Sequence, residues 1–147
     1  ANDLMFRKTI RDEGQTIRFL IEEIEKEMEK VDDKYSKPMS NAIADVIATL
    51  ETLLSKANDS RHLAANGVNW LMQLGYFCGG WMAVKSADRA IKNATRLPDD
   101  FVKSKIICAE IYLQHSLPHV KTYYNVINHE DNSILNMDVN WLHRRTA

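Results

Sequence analysis

Apolar residues early in the chain recur at helical spacing. Ile17, Ile21, Ile24, Met28, Val31 and Tyr35 are separated by four, three, four, three and four positions, the stripe of a helix that buries one side. Between them lie Glu22, Glu23, Glu25, Lys26, Glu27, Glu29 and Lys30, strong helix formers that put charge on the remaining faces. The pattern predicts a first helix over 3–34, with Asp3 placed to cap its free N–H groups. Asp32-Asp33, Ser36 and Pro38 mark a break, because Pro is tolerated in a first turn and not in a helix interior. A second helix over 38–57 follows, with Met39, Ile43, Val46, Leu50, Leu53 and Ala57 on one face. The short connection makes the two helices antiparallel neighbours.

Asn58-Asp59-Ser60 supplies the next turn and cap, and a third helix is expected over 61–94. Its first part, Leu63 to Val84, is 22 residues without Asp, Glu, Lys or Arg, which raises the question of a membrane span. Gly75-x-x-x-Gly79 is a spacing that lets helices approach closely in bilayers. Asn66, Asn69 and Gln73 would be costly in lipid, so the reading adopted is a central bundle helix and no membrane partner. Gly67, Gly75, Gly79 and Gly80 each lower helix propensity by about 1 kcal/mol relative to Ala. Close approach by a neighbouring helix offsets that cost, and the expected packing residues are Gly75, Gly79 and Gly80, with Trp70 and Trp81 above and below the gap. Small residues recur at Ala83, Ala87, Ala90 and Ala94, around Ile91. Leu97-Pro98-Asp99-Asp100 makes the last break, and a fourth helix over 98–127 carries Val102, Ile106, Ala109, Leu113, Leu117, Val120, Tyr124 and Ile127 on its buried side. Pro118 interrupts it, and a kink is expected there.

The fold class expected is therefore all-α: an up-down four-helix bundle of long antiparallel helices over 1–128, then a tail over 129–147 that contains Trp141 and Leu142 and has room for a short helix. Chain length agrees, since 147 residues suit one domain. So does the scarcity of breakers, 5 Gly and 3 Pro. Lys and Arg number 19 against 20 Asp and Glu, which leaves no global field to draw nucleic acid. Cys78 and Cys108 belong to no CxxC pair or zinc-spaced cluster and read as reduced, buried packing residues. The sequons Asn58-Asp59-Ser60 and Asn93-Ala94-Thr95 would matter only in a secreted protein, and no basic region followed by an apolar core opens the chain. The expected compartment is the cytoplasm, and the start at Ala1 suggests a piece cut from a longer chain.

Catalytic motifs are missing from the sequence. No Glu has a His three residues later, so the di-iron pattern of bundles is absent. His115 and His119 lie four apart and can share a metal only if a second helix supplies a carboxylate, with Pro118 distorting the turn between them; they are read as solvent-facing or interfacial. No Gly-x-Gly-x-x-Gly, phosphate loop or nucleophile elbow occurs. No residue is assigned as catalytic, cofactor-binding or metal-binding, and the acidic run of the first helix is read as a solvated face.

The stretch Ala64 to Trp81, ending Leu74-Gly75-Tyr76-Phe77-Cys78-Gly79-Gly80-Trp81, resembles a segment of the extra C-terminal domain of large bacterial acyl-CoA dehydrogenases. A second match follows in order, with Phe101, Lys105, Ala109, Tyr112 and Leu117-Pro118 at that domain's spacing. The likeness covers about 60–127, and the first two helices only in their lengths. It implies a non-catalytic helical appendage to an FAD-dependent flavoprotein of fatty acyl-CoA oxidation, FAD and the catalytic glutamate lying in the body of the enzyme. Its partners would be that catalytic body and further copies in a homo-oligomer, through interdomain packing and oligomer contacts. Cys78 and Cys108 depart from the small aliphatic or hydroxyl residues expected there, and the acidic first helix puts the partner surface in doubt. The alternative is an independent helical module that dimerises or docks a partner.

Overall fold

The structure is a computed structural model that describes residues 1–129 and 137–138. Among the described residues it is all-helical: a π-helical segment Asp3–Ile10, then α1 (Gln15–Met28), α2 (Asp33–Ser55), α3 (Ser60–Lys92), a 3-10 turn Ala94–Arg96, α4 (Asp99–Ile111), a second π-helical segment Tyr112–Ser116, and α5 (His119–Ile127). The tail with Trp141 and Leu142 lies outside the described residues.

The helix expected over 3–34 is broken once and ends early. Glu13 has φ 55° and Gly14 φ 78°, a left-handed pair in which only glycine is unstrained. Asp12 organises the restart by accepting from Gly14 N at 3.1 Å, Thr16 N at 3.2 Å and Thr16 Oγ1 at 2.5 Å. Those donors favour the charged carboxylate, the Thr16 hydroxyl most of all, and hold its pKa below the ordinary aspartate value. Asp3 does not cap: no side chain caps the first segment, and Asp3 pairs with Arg7 at 2.6 Å instead. The second helix starts before the expected residue 38. Asp32 caps it by accepting from Lys34 N at 2.9 Å, which leaves Pro38 inside the helix. A carboxylate satisfying a first-turn amide outweighs the single ladder bond lost at Pro38. Asp59 repeats the capping for α3, accepting from His62 N at 3.0 Å.

α3, about 50 Å long at 1.5 Å per residue, is the hub. α2, α4, α5 and both π-helical segments pack on it. Its buried side contributes Leu63, Trp70, Gln73, Phe77, Val84 and Ala87. Against it lie Ile17, Ile21, Ile24 and Met28 of α1, Met39, Val46, Leu50 and Leu53 of α2, and Ala109, Leu113, Leu117, Val120 and Ile127 of the last helices. Several polar groups inside are paired, whereas Tyr35 Oη, His62 Nδ1 and Gln73 Oε1 are buried without a hydrogen-bond partner among the described residues. Trp70 Nε1 donates to Thr9 Oγ1 at 2.9 Å, Thr9 Oγ1 donates to Leu4 O at 2.9 Å, and Gln73 Nε2 donates to Val120 O at 3.2 Å. Ion pairs tie the elements outside: Arg18–Glu51 at 2.7 Å, Lys85–Glu27 at 2.5 Å, Lys34–Glu110 at 3.1 Å and Lys121–Asp45 at 2.8 Å.

The helix expected over 98–127 is one rod with a defect. Pro118 has no N–H, and its ring crowds the carbonyl one turn back. The turn before it is widened to i→i−5 bonding, Leu117 N donating to Tyr112 O at 2.9 Å, and α5 resumes at His119. Cys108 is exposed and Cys78 half-buried, both free, so the expectation of two buried cysteines fails for Cys108: its position on α4 lies off the stripe through Ala109 and Leu113.

Candidate functional site

The glycines of α3 separate into three environments. At Gly79 an added Cβ would lie 2.6 Å from Tyr112 Cζ and closer to its hydroxyl. At Gly80 it would lie 2.8 Å from Leu117 Cδ1 and 3.1 Å from Met39 Sδ. Each therefore admits a neighbouring side chain into space that its own would fill. Gly75 differs: a Cβ there meets nothing within 4 Å, so among the described residues nothing packs on it as expected. Trp70 and Trp81 do not bracket the glycines. They lie eleven residues apart, three helical turns, on the side facing the first helices, where Trp81 Nε1 donates to Glu27 Oε2 at 2.6 Å.

Around Gly79 the aromatic rings form a ladder. Tyr112 Oη donates to Tyr76 O at 3.3 Å, and burial pushes its pKa up. The Tyr76 ring stacks on His119 at 4.7 Å and on Tyr123 at 6.0 Å between centroids. His119 stacks on one side yet is exposed, its Nδ1 3.1 Å from Ser116 O, and His115 is exposed as well. Among the described residues no group of three His, Cys, Asp or Glu is placed to hold a metal ion. Cys78 follows Tyr76 by two residues, and burial pushes its thiol pKa up, away from the nucleophilic thiolate.

Two open grooves lie elsewhere on the surface. One, of about 570 Å³, lies where α3 turns into α4, with Lys85, Arg89, Arg96 and Lys105 around Met82, Leu97 and Phe101. The other, of about 540 Å³, is acidic, with Glu25, Glu29 and Asp33 beside Met28 and Ile43. Glu27 joins α1 to α3: it accepts from Trp81 and, at 2.5 Å, from Lys85, whose ammonium also lies 4.7 Å from the Trp81 ring centre. Lys85 above all, and then Trp81, holds the Glu27 carboxyl below the ordinary glutamate pKa. These contacts bind helices together. None presents a nucleophile beside a base. Sequence reasoning missed Tyr112, Tyr76 and Glu27 because their partners are 33 to 58 residues away; the one signal was that Gly79 needs a filler and Tyr112 is a large residue on the facing helix.

Residues 20–138 match the model of the family described as acetyl-CoA dehydrogenase C-terminal like. The chain belongs to that family. A relative is the 3-methylmercaptopropionyl-CoA dehydrogenase of Ruegeria pomeroyi, 32% identical over 143 residues, which are 92% of this chain and 24% of the relative. This member of the C-terminal-like family thus spans about a quarter of the length of the curated relative it matches. Among the described residues, no helix is long and apolar enough to cross a membrane.

Proposed function

We propose that this chain is the non-catalytic C-terminal helical domain of an FAD-dependent acyl-CoA dehydrogenase, an oxidoreductase of cytoplasmic acyl-CoA oxidation. The domain serves packing against the catalytic body and contacts between copies. The observation that carries the reading is the family match over 20–138 joined to a relative four times as long whose printed activity is that of a CoA-thioester dehydrogenase. The distribution of contacts supports the architecture expected for such an appendage. Arg18 with Glu51, Met39 against Gly80, and Gly79 against Tyr112 fit an up-down bundle of four rods, the last of them broken at Pro118.

In this reading FAD, which supplies the hydride acceptor when bound, belongs to the rest of the parent. The helix starts of this chain support that placement. A dinucleotide pyrophosphate sits on free N–H groups at a helix N-terminus behind a glycine-rich turn, whereas α2 and α3 begin on the capping carboxylates of Asp32 and Asp59, and α4 begins with Asp99 and Asp100. These donors do not fit a flavin dinucleotide, and no step of the chemistry falls to this chain. The test is the gene: reading upstream of the codon for Ala1 is expected to give several hundred in-frame codons with an acyl-CoA dehydrogenase pattern. An upstream frame encoding an unrelated protein would overturn the reading in favour of an independent dimerisation or docking module.

A further inference from the structure

Of the residues at the family's spacing, Ala109 and Leu117 are buried in the core and Tyr112 fills the space over Gly79. Phe101 and Lys105 have no such task. The Phe101 ring is 45% exposed, and the Lys105 ammonium lies 5.2 Å from its centre. Both line the groove of about 570 Å³ where α3 gives way to α4. Met82, Leu97 and Phe101 make this groove apolar, while Lys85 and Arg89 of α3, Arg96 of the turn and Lys105 of α4 bring cations to it from three elements. Glu27 of α1 answers Lys85 at 2.5 Å. Among the described residues no carboxylate pairs with Arg89, Arg96 or Lys105, and no acidic residue lines the groove. In a chain with 19 basic and 20 acidic residues this excess of one sign is local, and it attracts an anion. Met82, 55% exposed, keeps apolar surface wet in the same place.

We propose that this groove binds a small organic anion, a phosphate or carboxylate carried on an apolar body. The site is separate from the packing contacts proposed above and goes beyond them. Its volume falls within the roughly 300–1,000 Å³ of small-molecule sites, and an apolar lining with a few convergent polar groups is their usual make-up. The body would lie against Met82, Leu97 and Phe101. The head would be met by Arg89 and Arg96, whose planar forks can each hold two oxygens of a phosphate or carboxylate. Lys85, already held by Glu27, has less to offer. The mixture of groups argues against the other occupants. An acidic peptide would satisfy the cations and leave Met82 and Phe101 wet, whereas an apolar helix would cover these two and bury unpaired guanidinium groups, which is costly. A flat anionic surface suits cations arrayed on one exposed face better than cations drawn from three elements around a hollow.

Isothermal titration calorimetry of the 147-residue chain with octyl phosphate, below its micellar concentration and at low salt, tests this. Saturable binding of one molecule per chain is expected, weakening as added salt screens the head. Octanol lacks the charge and inorganic phosphate lacks the body, so each should bind at least about tenfold more weakly. Arg96→Glu alters an exposed side chain without an ion-pair partner among the described residues, and Phe101→Ala removes a half-exposed ring. Each should weaken binding about tenfold while circular dichroism shows an unchanged fold. Lys37→Glu makes the same charge change on α2, outside the groove, and should bind as the parent does. Backbone amide shifts on titration should gather between Met82 and Lys105. The assignment is overturned if octyl phosphate does not bind, if octanol or inorganic phosphate binds as tightly, or if Lys37→Glu weakens binding as much as Arg96→Glu. Binding to phosphatidylglycerol vesicles by a chain that ignores the monomeric probe would overturn it in favour of a membrane surface. The upstream frame decides the proposed function whichever of these results is found.

Discussion

Gly79 and Tyr112 share one space, and the sign of a substitution at Gly79 depends on which of two effects wins. Ala favours the helix by up to about 1 kcal/mol over Gly. Against this, the Tyr112 ring must swing away and give up its hydrogen bond to Tyr76 O, which is worth about 1 kcal/mol. Gly79→Ala is therefore expected to be neutral or less stable by about 1 kcal/mol. Gly79→Leu is expected to lose about 3 kcal/mol, since overpacking adds to the displaced ring. Urea denaturation checks both, and Tyr112→Phe should restore only a small part of the loss in Gly79→Ala, because it removes the hydroxyl but leaves Cζ 2.6 Å from the added Cβ. Glu27 makes a pH-dependent prediction. Its pKa is lowered on folding, so its stabilising contribution is full above the ordinary glutamate pKa and disappears as pH falls through the lowered value. The carboxylate is partly open to water, so the pair contributes about 1 kcal/mol or less. Glu27→Gln should accordingly lose less stability than the parent on acidification from about pH 6 to pH 3, as thermal melts would show.

At the level of elements, the stripes from Ile17 to Met28 and from Met39 to Leu53 were legible because burial on one side of a helix imposes its period directly on the sequence, while Val31 and Tyr35, expected on the first helix, lie beyond its end. What ended the helices was less legible. Asp32 and Asp59 follow the capping rule, yet Asp32 starts α2 six residues before Pro38, since a proline in the second turn sacrifices only one bond. Gly14 was passed over because nothing around it breaks the charged pattern; its left-handed φ belongs to the turn between the π-helical segment and α1. Gly14→Ala should cost about 1–3 kcal/mol, the sum of left-handed strain and a Cβ placed 3.1–3.2 Å from Leu50 and Leu54 methyl carbons. Chemical denaturation with an unchanged m-value would place that loss in the native state. Pro118 was legible as an interruption, but its outcome, a widened turn from Tyr112 to Ser116, depends on α3 holding both halves of the rod in place.

For the molecule as a whole, the all-helical class and the family could be read from periodicity and from the segments around Gly79-Gly80-Trp81 and Leu117-Pro118. The surface roles of the glycines could not, because helical spacing does not say which faces find a neighbour. The proposed function predicts that the purified chain is colourless and inactive toward acyl-CoA; a flavin absorbance band at stoichiometric level would contradict it. The hub position of α3 has a further consequence, for cooperativity. α2, α4 and α5 all lean on this one helix, and Trp70 and Gln73 reach from it to opposite ends of the sequence, to Thr9 and Val120. No substantial part of the fold can come away while the rest keeps its interior. Backbone amides of α3 between Trp70 and Val84 should therefore exchange with deuterium only through global unfolding. The residues ahead of Met5, whose side chain and that of Thr9 are buried, should exchange through smaller, local openings.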